Sequence, residues 1–216
     1  MIGVYDYTVI LTYLSTVSAM AGIFLAVSGH ETAAVILLVV CGMIDLLDGP
    51  VARTKKNRTD DEKRFGIQID SLNDLISFGV LPAVIGFMMR PGFTPEKIIF
   101  LLFPLPGLIR LAWFNVQEEN RQKETEEKRK YYTGVPITVS SIVMPTCFIL
   151  FKPLLPDMAY YIFMLVVYAV LGFLYISKVR IRKPHKKGLI ILLALGVLAL
   201  AAIIVRMAVL KLSALG

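Results

Sequence analysis

The chain has 216 residues, of which 56% are hydrophobic and 18% charged, with a net charge of +7 and a mean hydropathy of +0.70. A soluble domain of this length carries more charge and alternates it with apolar residues. Here the charges stand in blocks between long apolar runs, which excludes an ordinary soluble domain and predicts an all-α, polytopic transmembrane helical bundle. In that setting the basic excess meets anionic headgroups of the membrane lipid, and no nucleic-acid partner is expected.

Seven apolar spans are predicted in chain order, at about 7–28, 32–48, 67–89, 98–116, 135–151, 158–177 and 188–210, within one membrane domain covering 1–216. The first follows Asp6 without a basic stretch before it, so no cleavable signal peptide is expected. Thr8, Thr12, Ser15 and Thr16 share one of its faces. That stripe reads either as close helix packing through small residues or, for Thr8 and Thr12, as a nucleotide or phosphate contact. The fourth run contains Phe103-Pro104-Leu105-Pro106-Gly107 and is read as a single kinked span. Residues 117–130 are charged throughout and read as a solvated helical extension. The last span is smooth and rich in Ala and Leu, a scaffold helix or the contact surface of a homodimer. Cys41 and Cys147 both fall inside apolar runs and are expected to be buried thiols.

Most of the 23 basic residues lie in three loops, 53–64, 121–130 and 178–187, whereas the alternate loops hold only Arg90, Lys97 and Lys152. Seven spans put all three rich loops on one side, and the positive-inside rule assigns that side, with the N-terminus, to the cytoplasm of a cell membrane.

The chemistry-bearing stretch is Asp45 to Asp74. Span two ends with Asp45 and Asp48, and span three begins with Asp70 and Asp74. The spacings i,i+3 and i,i+4 place each pair on one helix face. Antiparallel neighbours joined by one loop bring all four carboxylates to one depth, where protons or cations must neutralise them. Oxygen-only ligands favour Mg2+, Mn2+ or Ca2+, and four carboxylates suit two divalent cations with positions left for phosphate oxygens. Gly49 and Gly66 would let a phosphate or nucleotide approach the backbone, and Arg53 offers a planar fork to phosphate. Intramembrane carboxylates also mark cation-coupled transporters, a different class that the residues alone leave open.

The pattern Asp45-x2-Asp48-Gly49-x2-Ala52-Arg53 followed by Gly66-x3-Asp70-x3-Asp74 resembles the signature of the CDP-alcohol phosphotransferase family, whose members share a six-helix core. That core would correspond to about residues 7–177, with one extra C-terminal span. The resemblance implies that Asp45, Asp48, Asp70 and Asp74 bind two divalent cations, Mg2+ or Mn2+ with Ca2+ as another occupant. It also implies that Asp74 is the base for the acceptor hydroxyl. Gly49, Ala52, Arg53 and Gly66, with Thr8 and Thr12 beside them, would then line the CDP-lipid. The gap of twelve residues from Arg53 to Gly66 is longer than the family usually has.

Three further segments, Asp70 to Ala83, Arg110 to Val116 and Thr133 to Thr138, resemble the phosphatidylserine synthase branch of the family. They imply transfer of the phosphatidyl group of a CDP-diacylglycerol-type lipid to L-serine, with release of CMP. Arg110 is the basic residue placed to meet a serine carboxylate, with a structural ion pair as its other reading, and Asn115 would lie near the mouth of the pocket. An inositol phosphate or glycerol phosphate acceptor is the alternative within the same chemistry.

Overall fold

The computed structural model describes residues 2–124, 131–182 and 186–213. Lys128, Arg129, Lys130, Lys183 and His185, which belong to the basic loops, lie outside them. The fold is a bundle of antiparallel apolar helices, a polytopic membrane protein. Among the described residues five segments are long and apolar enough to cross a membrane: Tyr7–Val27, Glu31–Ala52, Asp60–Met88, Pro95–Arg121 and Asp157–Ile176. Two shorter apolar helices, Ile137–Leu150 and Ile190–Val205, occupy the other two expected spans.

Helices α1 (Tyr7–Val27) and α2 (Glu31–Ala52) form a hairpin and pack closely along their length. Asp6 caps α1 by accepting the Thr8 backbone N–H at 2.9 Å. Cys41, buried in α2, donates its thiol to the Ser15 carbonyl across this contact, and Cys147 is likewise buried and free.

The third span begins earlier than the apolar pattern indicates. Helix α3 (Asp60–Asp74) starts with a capping box, in which Thr59 Oγ1 accepts the Glu62 N–H and Glu62 accepts the Thr59 N–H. Its first turns are polar, so hydropathy alone sets the start too late. A π-helical segment, Leu75–Val80, joins α3 to α4 (Leu81–Met88). Pro82 accounts for the widening, because it has no N–H to return to the carbonyl of Phe78. The Ser140 hydroxyl donates to that carbonyl instead, at 3.0 Å.

The fourth span is one interrupted helix, α5 (Ile98–Leu102) and α6 (Pro104–Glu124), broken at Phe103 by the proline pair. Lys97, counted as a loop residue in the sequence, is buried, and its ammonium donates to the carbonyls of Phe87, Arg90 and Gly92. It therefore closes the end of α4 rather than meeting solvent. At the same end, Lys152 forms an ion pair with Glu31.

Helix α7 (Ser140–Leu150) packs on α2, and α8 (Asp157–Ile176) packs on α5 and α6 through Phe100, Phe103, Tyr168 and Tyr175. Two short strands, β1 (Tyr131–Thr133) and β2 (Arg180–Arg182), pair antiparallel at the end where α1 begins and α2 finishes. No strand was legible in the sequence, and this pair ties the segment before α7 to the segment after α8. The last helix, α9 (Lys186–Ser213), packs on α2 and α7. Exposed Phe24, Trp113, Val166, Phe173 and Ile190 stand on the outside of the bundle, as lipid-facing residues do.

Candidate active site

All four signature carboxylates are on helical backbone, and only Asp74 is a terminal residue of its helix, where α3 runs on into the π-helical segment. Asp45 and Asp48 precede the α2 terminus at Ala52, and Asp70 and Asp74 close α3, which began at Asp60. The polar turns of α3 and the short connection from Arg53 to Thr59 therefore cover the acidic cluster. The expected long loop 54–65 is half helix.

Asp45, Asp70 and Asp74 each offer one carboxylate oxygen to a group lying within 4.8 Å of one another. Asp45 stands against Asp74, and Asp48 against Asp70, carboxyl to carboxyl across the two helices. Asp48 and Asp74 are buried, and Asp48 Oδ2 and Asp74 Oδ1 have no hydrogen-bond partner. Buried carboxylate oxygens without donors cost several kcal/mol each, on the order of the desolvation penalty of an ion. Clustered, oxygen-only and without donors, these side chains fit a hard divalent cation.

Two cavities meet at this cluster. The smaller, about 190 Å3, is lined by Thr8, Thr12, Asp48, Gly49, Ala52, Arg53, Gly66 and Asp70, together with Arg58 and Lys63. The larger, about 730 Å3, is lined by Asp45, Asp70, Asp74, Arg110 and Asn115 and by apolar residues of α2, α6, α7 and α9. Asp48 faces only the smaller cavity and Asp45 and Asp74 only the larger, while Asp70, Gly49 and Arg53 border both. Each residue that the sequence assigned to a metal, CDP-lipid or serine contact lines one of the two cavities.

The polar stripe of α1 divides between its two readings. Thr8 and Thr12 line the smaller cavity. One turn on, Thr16 donates to Asn73 Oδ1 at 3.0 Å and Ser15 meets Ser77 at 3.4 Å, which is helix packing against the π-segment. Thr8 is held in turn from outside the membrane span. Its hydroxyl donates to Asp6, whose other oxygen accepts from Lys55 at 2.6 Å, and Lys55 also reaches Glu62 at 2.8 Å. The Lys55 ammonium, with the Thr8 hydroxyl, holds the Asp6 carboxyl down at about 2.

Four contributors escaped the sequence reading. Arg58 and Lys63 come from the stretch between Arg53 and Gly66, which reads in the sequence only as a basic loop on the cytoplasmic side. In the larger cavity Ser71 hydrogen-bonds Asn115 (Nδ2 to Oγ 2.9 Å), locking α6 to the helix that carries Asp70 and Asp74. Glu118 lines the same cavity and pairs with Arg121 at 2.6 Å. Arg110, Phe114 and Glu118 line this cavity at four-residue intervals along α6, a periodicity that could have indicated Glu118. Helix α9, expected as scaffold or dimer surface, supplies Leu192, Leu195, Gly196 and Ala199 to the cavity wall.

The family model for CDP-alcohol phosphatidyltransferases matches residues 8–215. The chain belongs to this family. An archaetidylserine synthase of Methanothermobacter thermautotrophicus is 34% identical over 141 residues, 65% of this chain and 56% of that protein. A CDP-diacylglycerol–serine O-phosphatidyltransferase of Saccharomyces cerevisiae is 40% identical over 124 residues, 56% of this chain and 43% of that protein. One from Helicobacter pylori strain 26695 is 32% identical over 149 residues, 68% of this chain and 58% of its own. The chain spans about half the length of the curated relatives it matches.

Proposed function

We propose that this protein transfers the phosphatidyl group of a CDP-diacylglycerol-type lipid, ester- or ether-linked, to the hydroxyl of L-serine, producing a seryl phospholipid and CMP. The carrying observation is the division of one acidic cluster between two cavities. A transfer reaction needs a donor and an acceptor to meet at one phosphorus, and Asp70, Gly49 and Arg53 stand where the two cavities join. The family membership and the serine-transferring names of the relatives support the same reading.

In this reading the smaller, polar cavity takes the cytidine diphosphate and the larger, apolar-walled one takes the lipid tails and serine. Asp45, Asp48, Asp70 and Asp74 would hold two divalent cations, Mg2+ or Mn2+. Such cations supply charge neutralisation on the diphosphate and on the departing phosphate. Asp74, buried and facing the larger cavity with Oδ1 free, accepts the proton of the serine hydroxyl as its oxygen attacks the lipid-bearing phosphorus. A bond forms from serine oxygen to phosphorus, the bond from phosphorus to the CMP oxygen breaks, and CMP leaves through the smaller cavity. Arg110 meets the serine carboxylate, and Asn115, fixed by Ser71, lines the path to it. Glu118 lies on the same wall with its carboxylate engaged by Arg121. The end of the bundle bearing Lys55, Arg58 and Arg180 faces the cytoplasm, where CDP-lipid headgroup and serine are available.

The test is CMP release from CDP-lipid by the purified protein, with serine, inositol phosphate and glycerol phosphate offered as acceptors. Serine-dependent release that disappears with chelator and returns with Mg2+ or Mn2+ is expected. Release with a phosphorylated acceptor alone would overturn the serine assignment. Full activity in chelator would remove the cations, and ion-driven flux without CMP would make the chain a transporter.

A further inference from the structure

Arg58 stands in the twelve-residue stretch between the two signature halves, and the proposed reaction leaves it without a role. Its guanidinium lies over Gly66: a methyl built on Gly66 would stand 2.7 Å from Nη2, closer than atoms pack. Nη2 donates to the Glu62 carbonyl at 3.0 Å, whereas Nε is buried without a partner. A guanidinium N–H enclosed without an acceptor is costly unless an acceptor arrives. The residue lines the smaller cavity beside Arg53, Lys63, Asp48 and Asp70.

The stretch is also anchored. Lys55 ties it to Asp6, the cap of α1, and to Glu62, a member of the capping box of α3. Three helix ends thus share one ammonium-centred clasp, and Arg58 is presented from a fixed backbone. Among the described residues, and apart from the adjoining helix backbone, the only atoms within 4 Å of a methyl built on Gly66 belong to that guanidinium.

We propose that Arg58 is a phosphate-binding residue for the nucleoside diphosphate in the smaller cavity, and that Gly66 acts through it. The planar fork matches a phosphate edge, and Nε supplies the unused donor. This rests on the nucleotide half of the function proposed above and is independent of the acceptor.

Isothermal titration of the purified full chain with CDP in Mg2+ tests it, together with binding of cytidine measured by saturation-transfer NMR. Arg58→Ala is expected to weaken CDP by about tenfold or more, the loss of one charge-assisted hydrogen bond, while leaving cytidine unchanged. Arg58→Lys should recover part of the loss, since it keeps charge without the fork. Gly66→Ala should weaken CDP in the parent chain and much less in the Arg58→Ala chain, where the added methyl meets nothing. Unchanged CDP affinity in Arg58→Ala would overturn the proposal. So would an equal fall for cytidine, which marks a structural role, or a Gly66→Ala cost that is the same in both backgrounds. A parent chain that binds no CDP would remove it together with the nucleotide reading. CDP binding that follows the expected pattern in a protein that refuses serine would leave it standing and overturn only the acceptor.

Discussion

Replacing Asp74 with Asn tests the separation of the two tasks that the proposed reaction assigns to the acidic cluster. Asp74 is buried, presents a donor-free Oδ1, and borders the larger cavity but not the smaller. Asn preserves the volume and can donate its amide to the facing Asp45 carboxylate, so the bundle is expected to fold. A positioned general base contributes about 10^2- to 10^4-fold to a rate, equivalent to about 2.7–5.5 kcal/mol of barrier. Asp74→Asn should therefore lower kcat for CMP release by at least the smaller of these factors, with CDP binding retained because the smaller cavity is intact. Asp45→Asn is the control. Asp45 also offers an oxygen to the 4.8 Å group and also faces the larger cavity. Its loss should weaken the response to Mn2+ and be recovered at high Mn2+, whereas Asp74→Asn should stay impaired there. Recovery of Asp74→Asn with persistent loss in Asp45→Asn would move the base to Asp45 and refute the assignment.

Arg110→Lys keeps the charge but loses the fork, so it should raise the serine KM by about tenfold and leave that of CDP-lipid nearly unchanged; equal increases would rule out the carboxylate contact. The clasp at Asp6 carries a pH signature. Its carboxyl is lowered from an ordinary value near 3.8 to about 2 by Lys55, so its stabilising contribution is complete above pH 4 and is lost as pH falls toward 2. Asp6→Asn should lower the Tm at pH 7, by a small amount because the Asp6 and Lys55 side chains are about one quarter exposed. The deficit should shrink near pH 3, and one that persisted unchanged there would count against the clasp.

The sequence by itself determined the membrane class, the helical spans and which carboxylates pair on shared helix faces. Apolar run length and charge blocks carry the first two, because in hydrocarbon a backbone must satisfy itself as a helix. The i,i+3 and i,i+4 spacing of Asp45, Asp48, Asp70 and Asp74 carries the third, because helix geometry puts such pairs on one face whatever surrounds them. What it could not show was anything set by contacts between distant segments. The start of α3 was not hidden in this way: Thr59-x-x-Glu62 is a local capping-box pattern, which a reading by hydropathy passes over. The pairing of β1 with β2 joins residues some fifty positions apart, too short in each strand for a pattern to register. Lys97 was placed in a loop by the sequence, whereas in the fold one carbonyl of α4 and two of the turn after it close around its ammonium. Above all, only the tertiary structure divided the four carboxylates between two cavities. It placed Arg58 over Gly66 and turned α9 into a cavity wall, since which face a residue presents depends on the neighbours that pack against it.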